Sequence, residues 1–431
     1  MIHITRRAVL LSLREGTMTD KRDNRRSIKP RVGRLALIAL VPAIALATAC
    51  SSGDNSSGTS AEAPSSAFPD KPATGSPIKI GLINPEGGPA VSQPSNREAA
   101  AAVVQYANAN LGGIAGHRVE LVTCAAKEDP ASNRDCANQM VEAKVSAVVV
   151  TTTAYGDAMV PVITGAGIPY LTPAGASAAE MTTPGAFALT GGFPGSLKSM
   201  AVYAAGKGYK KVTAFVTDSG TAPATTKTMG GAAFSAAGID LQVVPIPLGT
   251  PDATPQVNSG ISGNVGAIAV VGDATMCTSV VKALGALGAT QDKMLIQPCL
   301  DPATVEAVGD AMNGAHVFTT ADLVSNDPEA VLYRSVMKMY APHTDLSGYT
   351  YIGYQGMLGL VRAAQGVTGD PNAAAISTAI KSAQNVPLPA GHGITFTCNG
   401  STIAQLPSIC STQLVTVTVD DGKPTDPQIT K

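Results

Sequence analysis

The chain has 431 residues, with 30 Lys/Arg against 31 Asp/Glu, 4% aromatic residues and no Trp. Ten of the basic and three of the acidic side chains fall in residues 1–49, so the remainder carries twenty basic against twenty-eight acidic groups, net −8. An acidic body of this kind argues against nucleic acid as a partner and against electrostatic adhesion to anionic lipid. With so few aromatics, Ala, Val, Leu and Ile must fill the cores, which is a composition for α/β layers.

At the start of the chain a basic segment (Arg22, Arg25, Arg26, Lys29, Arg31, Arg34) precedes Leu35–Ala49, an uncharged apolar run interrupted by Pro42. A basic head, a short apolar stretch and small residues beyond it form a secretory signal. The run is shorter than the roughly 20 residues a bilayer-spanning helix needs, which disfavours a membrane anchor made of protein. Ala47-Thr48-Ala49-Cys50 resembles a bacterial lipobox, with Leu46 one place further from the cysteine than is usual. That resemblance implies cleavage after residue 49 and a lipid on Cys50. Met18 is an alternative start, and Thr5-Arg6-Arg7 is a poor twin-arginine signal because Arg14 and Glu15 interrupt the apolar stretch next to it. Ser51–Ser76, rich in Ser, Gly, Pro and Ala, is expected to be a flexible tether.

Beyond the tether, strand and helix patterns alternate. Ile78–Ile83 reads as a strand, Asn96–Leu111 as an Ala-rich helix stopped by Gly112-Gly113, and Arg118–Thr123 as a strand. A helix over Asn133–Ala143 leads to Ala147–Val150, an apolar run without polar alternation, as in a strand buried on both faces. Helix Ala158–Ala166 and strand Ile168–Leu171 come next. The pattern then restarts with helix Ser196–Gly206, strand Lys211–Val216, helix Ala224–Ala237 and strand Leu241–Ile246. Strand Ala267–Val271, helix Ser279–Leu287 and strand Met294–Gln297 complete the second series. After strand His316–Thr319 come helices over Pro328–Tyr340, Gly348–Ala364 and Asn372–Ser382. Gly393–Cys398 and Gln413–Val419 alternate like an antiparallel pair. Two such series predict two parallel, doubly wound sheets. Some 350 residues from about Pro77 onward suit two domains better than one core.

Seven cysteines leave six if Cys50 is lipidated, and these fall into local pairs: Cys124 with Cys136, Cys277 with Cys299, Cys398 with Cys410. In an exported chain the pattern reads as disulfides, although six cysteines allow fifteen connectivities and buried free thiols are the other reading. No C-x-x-C occurs and His3, His117, His316, His343 and His392 are scattered, so zinc spacing is absent. There is also no G-x-S-x-G, P-loop or H-E-x-x-H, and no catalytic constellation or cofactor motif is read.

The strand order, with three motifs, resembles the type I periplasmic binding proteins, in the branched-chain amino-acid-binding branch of ABC importers. The motifs are Ile78-Lys79-Ile80-Gly81-Leu82-Ile83 with Gly88-Pro89 beyond it, Asn108-Ala109-Asn110-Leu111-Gly112-Gly113-Ile114-Ala115-Gly116, and Gly167-Ile168-Pro169-Tyr170-Leu171-Thr172-Pro173-Ala174. The three cysteine pairs look like those of high-GC Gram-positive members. The resemblance implies two Rossmann-like lobes joined by several crossovers: residues 77–192 with 320–388, and 193–319 with 389–431, after a signal over 1–49 and a tether over 50–76. It implies a monomeric, lipid-anchored capture protein that hands a small carboxylate-bearing solute to an ABC permease at the outer face of the cytoplasmic membrane. A ligand sensor or cell-envelope interaction module on the same fold is the alternative, with an amide, urea-like or aromatic acid ligand.

Ligands of open α/β sheets sit at the carboxyl ends of strands, near helix N-termini. In the first lobe those ends are Thr151–Tyr155 and Ala174–Ser177. The resemblance assigns Thr153 and Ser177 as hydroxyl donors to a ligand carboxylate, Ala174 as a carbonyl acceptor for an ammonium, and Ala154 and Tyr155 as neighbours. The blander reading is that Thr153 and Ser177 cap the helices next to them. Gln93 of the first lobe and Ala222 and Ala274 of the second stand where the family has tyrosines, and Cys299 stands where it has the acid that holds the ammonium. Asp218 and Asp273 are the carboxylates expected to replace it, with Glu86 and Asp301 nearby.

Overall fold

The computed structural model describes residues 61–88, 91–218 and 222–430. The signal segment, Cys50 and residues 50–60 of the expected tether lie outside the described residues.

The first sheet is built from β1 (Gly75–Pro85), β2 (His117–Ala126), β3 (Ala147–Val150), β4 (Tyr170–Ala174) and β5 (Ala186–Thr190). Its order is β2-β1-β3-β4-β5 and every pairing is parallel. Each link between β1 and β4 carries a helix, because a parallel neighbour requires a long crossover. The helices are Pro94–Tyr106, Pro130–Glu142 and Gly156–Gly165. β3 is buried at all four residues, as its unbroken Ala-Val-Val-Val run requires. β5 has no counterpart among the predicted strands. Its Ala-Phe-Ala-Leu-Thr is buried throughout, and so short a run with two alanines gives neither alternation nor a β-branched cluster.

The second sheet contains β6 (Lys211–Asp218), β7 (Asp240–Pro247), β8 (Ala267–Val271), β9 (Asp292–Ile296) and β10 (His316–Thr319) in parallel. β11 (Val386–Pro387) and β12 (Thr395–Phe396) form a small ribbon. β13 (Val415–Asp420) then adds antiparallel to β10, and β14 (Lys423–Ile429) antiparallel to β13. The second-sheet order is β14-β13-β10-β9-β8-β6-β7. Gly393–Cys398 and Gln413–Val419 therefore do not pair with each other: each alternating run finds a different partner. β14, absent from the predicted elements, supplies the second strand for β13.

Helices Pro328–Tyr340, Thr350–Ala363 and Ala373–Ser382 return the chain to the first lobe. Thr350–Ala363 lies against Pro94–Tyr106 so closely that a Cβ at Gly353 would collide with the Asn96 carbonyl oxygen. Glu329 and Arg362 form a two-point fork at 2.9 and 2.9 Å between the first two of these helices, with Pro387 and Ala390 bonded to the same pair. Residues 397–411 stay on the first sheet, where Ile409 bridges Ala188 in parallel. The expected boundary at 388/389 thus falls inside first-lobe structure, and the chain reaches the second sheet at β13.

The tether reading needs correction over residues 61–76. Glu62 bonds Lys338, the Ala63 N–H donates to the Ser335 hydroxyl, Tyr106 donates to the Ala67 carbonyl, and Phe68 meets the Tyr106 ring edge-on at 5.4 Å. A composition poor in apolar residues still supplies a strap when backbone groups and one Phe find partners on two neighbouring helices. The three disulfides close in the expected pairs: Cys124–Cys136, Cys277–Cys299 and Cys398–Cys410.

Candidate functional site

The carboxyl ends of the parallel strands of both sheets, the second sheet being mixed and not wholly parallel as expected, face each other across a cavity of about 220 Å³. Thr152 and Ala154 after β3, and Ala174 and Ala176 after β4, form its first-lobe wall. Ala222 and Thr225 after β6, Ile296 and Gln297 at the end of β9, and Phe318 at the end of β10 form the opposite wall. Chain segments that cross between the lobes supply the rest: Gly192, Phe193 and Ser196 from one, Thr319 and Thr320 from another, and Tyr349, Tyr351 and Ile352 from the start of the Thr350–Ala363 helix. At the first crossing Gly192 has φ +57, and any Cβ there would strike the Gly175 carbonyl oxygen, so only glycine lets the chain turn out of the first lobe here.

The hinge side is held by buried hydrogen bonds. Gln355 donates to the carbonyls of Thr320 and Pro389 at 3.0 and 2.9 Å and accepts from the Thr320 hydroxyl at 3.0 Å, tying two crossing segments to one helix. Asp322 is wholly buried and accepts hydrogen bonds from Ser325 and the Val324 N–H, with the His392 ring 2.8 Å away. Burial raises its pKa, but these bonds outweigh burial and hold the carboxyl below its ordinary value. Beyond the hinge, Gln297 and Thr319 also border a second cavity of about 340 Å³.

Of the residues the sequence singles out, Ala154 and Ala174 border the solute-sized cavity. Thr153 and Ser177 lie just behind it, with their polar groups engaged elsewhere. The Thr153 hydroxyl donates to Glu128 at 3.0 Å, and the Ala154 N–H donates to the other oxygen of the same carboxylate at 3.0 Å. Ser177 caps the Ala178–Thr182 helix in a reciprocal box with Glu180, whose carboxylate accepts from the N–H groups of Ala176 and Ser177 at 3.0 and 2.9 Å. Glu180 also accepts from the Tyr170 hydroxyl at 2.7 Å. Burial pushes both Glu128 and Glu180 carboxyls up against these bonds.

Tyr155 begins the Gly156–Gly165 helix and is not a wall residue. Asp218 is exposed at the end of β6. Asp273 caps the Ala274–Ala286 helix, accepting from the Met276 N–H at 3.0 Å and from Thr217 at 3.2 Å. Cys299, where the family acid was expected, is closed in a disulfide with Cys277. The wall residues that sequence reasoning misses are Gly192, Phe193, Ser196, Thr225, Ile296, Gln297, Phe318, Thr319, Thr320 and the Tyr349, Tyr351 and Ile352 group. Gln297 and Thr319 stand at strand ends, so the rule that locates Thr153 also reaches them. The Tyr349–Ile352 group sits on a returning helix, where no local pattern marks it.

A sequence description of periplasmic binding proteins matches residues 77–416, which takes in nearly all of the first sheet and the parallel strands of the second, and stops at the start of β13. The chain belongs to the periplasmic binding protein family. Members of this family bind small-molecule solutes outside the cytoplasm and work with ABC permeases. Solved structures of similar fold include a possible leucine/isoleucine/valine-binding protein from Rhodopirellula baltica (18% identity, TM-score 0.67, covering 83% of this chain and 97% of that one). A second is the branched-chain amino acid binding protein LivJ from Streptococcus pneumoniae in complex with isoleucine (19%, 0.64, 82% and 99%). A third is a fatty acid ABC transporter substrate-binding protein from Thermomonospora curvata (16%, 0.68, 84% and 93%). At these identities the likeness establishes the two-lobed fold and leaves the ligand open. No curated protein sequence matches this one closely enough to count as a relative.

Proposed function

We propose that this periplasmic binding protein is the extracytoplasmic capture subunit of an ABC importer, closing its lobes over one small solute and doing no chemistry on it. The observation that carries the reading is a cavity whose walls come from the strand ends of both sheets and from the segments joining them. A solute there touches both lobes and the hinge at once, so binding favours closure, which is how two lobes exchange solvent for ligand contacts. Relatives of the same fold named for branched-chain amino acids and for fatty acids support a small organic solute. The finer expectation, a carboxylate anchored at Thr153 and Ser177, meets hydroxyls that already serve Glu128 and the helix cap.

The test is to purify the protein without denaturation and identify by mass spectrometry the solute it releases on unfolding, alongside a thermal-shift screen of amino acids, acids, amides and urea. Release and rebinding of one unaltered solute is expected. A solute that is consumed, or a protein that binds nothing in either experiment, overturns the reading. Attachment to the membrane through lipid on Cys50 belongs to the same proposal. Replacing Cys50 with Ala is expected to release the body into the medium or leave uncleaved precursor, and a wild-type protein that is itself secreted free contradicts the anchor.

A further inference from the structure

We infer that the interlobe cavity accepts an uncharged, largely apolar solute whose hydrogen-bonding head is read by the Gln297 carboxamide, and that it rejects zwitterionic amino acids. This rests on the solute-binding reading and narrows it to a ligand class.

The first support is the wall itself. None of the described residues that border the cavity is Asp, Glu, Lys, Arg or His; Phe193, Phe318, Tyr349, Tyr351, Ile296 and Ile352 give it an aromatic and aliphatic surface. An ionised group taken from water into such a wall without a partner carries a large desolvation cost.

The second support comes from the first-lobe loops. Their natural anion donors are the Thr153 hydroxyl and the N–H groups of Ala154, Ala176 and Ser177. All four point at carboxylates of this chain, Glu128 for the first two and Glu180 for the others. A solute carboxylate would have to displace an internal one, and would approach like charge behind the loops. The third support is on the opposite wall, where Cys299 is tied to Cys277 two residues from Gln297 and offers no charge to an ammonium. Neither half of an amino acid's charge thus meets an oppositely charged side chain on the described wall, where the hydroxyls of Thr152, Ser196 and Thr225 are among the neutral polar groups besides Gln297.

Gln297 is the carboxamide that the wall presents. It is 7% exposed and borders the cavity. Its side chain makes no hydrogen bond with a described residue, and it borders both this cavity and the second one beyond the hinge. A carboxamide both donates and accepts, which suits an amide, alcohol or ester head.

Isothermal titration at pH 7 with shape-matched series tests this: leucine, 4-methylpentanoate and 4-methylpentanamide, and in parallel phenylalanine, 3-phenylpropanoate and 3-phenylpropanamide. The amide of at least one series is expected to bind about ten-fold or more tightly than its acid and its amino acid, a factor equal to one hydrogen bond kept against one lost. Gln297→Leu is expected to weaken that amide by about ten-fold without moving the thermal unfolding midpoint, while Gln297→Asn retains part of the affinity. Leucine, phenylalanine or either acid binding as tightly as the matching amide overturns the inference, as does an amide untouched by Gln297→Leu, or a set in which nothing binds. Capture of a charged solute in the release experiment would sink this inference and leave the binding function standing; failure of that release experiment and of the wider screen would sink both.

Discussion

Glu180 illustrates how a single buried side chain determines what a loop can do. Its carboxylate gathers Tyr170, Ala176 and Ser177, so the loop after β4 is fixed from within and those N–H groups are already engaged. Burial raises the Glu180 pKa above the ordinary 4.5, which means the folded state favours the protonated form more than the unfolded state does. The linked stability is then fully present below about 4.5 and is lost as pH rises through the folded-state value. A Glu180→Gln variant is neutral at every pH and lacks that slope. Thermal unfolding at pH 5 and pH 8 is expected to show the stability of the wild type relative to the variant shrinking as pH rises. A constant or growing difference would contradict it. The same residue explains why the site is only half legible in sequence. The strand-end rule reaches Thr153 and Ser177, but their partners Glu128 and Glu180 are residues of ordinary appearance. Only the fold brings Glu128, 25 positions upstream, against Thr153.

At the scale of elements, the disulfide Cys277–Cys299 bears on the site through what it holds. It joins the Ala274–Ala286 helix to the Gln297–Leu300 turn, which presents Gln297 to the cavity. Replacing both cysteines with Ala removes a loop constraint worth roughly 3 kcal/mol on a chain-entropy account. Denaturant unfolding of the double variant against the non-reduced wild type is expected to reveal a loss of that size, accompanied by weaker solute binding as the turn loosens. Unchanged stability would mean the turn is fixed by packing alone. Elements are legible where one force dominates. Ala147–Val150 and Ala267–Val271 match their strands residue for residue, because a strand buried on both faces leaves an unbroken apolar run. β5 and β14 are hidden for opposite reasons: β5 is too short and Ala-rich to carry a pattern, while β14 holds two prolines that argue against a strand unless it lies at an edge, as it does. For the strap over residues 61–76, composition registers the lack of apolar residues but not the backbone partners waiting on the lobe.

For the whole molecule, the decisive fact is that one continuous apolar cluster runs from Ile80, Leu82 and Val103 in the first lobe to Phe215, Ile268 and Val280 in the second. Tyr351, Ile352 and Tyr354 on the returning helix belong to the same cluster. Lobes that share a core through their crossings are coupled in folding even though each has its own sheet. The described body is accordingly expected to unfold in one cooperative calorimetric transition without ligand. A solute seated between the lobes binds only when both walls are folded, so it stabilises the pair as a unit. At a free concentration one hundred times its Kd the gain is about 2.7 kcal/mol. Differential scanning calorimetry across a solute titration is expected to move the single transition upward by an amount that tracks the logarithm of ligand concentration. Two transitions, of which the ligand raises one alone, would mean that the solute sits on one lobe, and the cavity between the sheets would lose its claim to be the binding site.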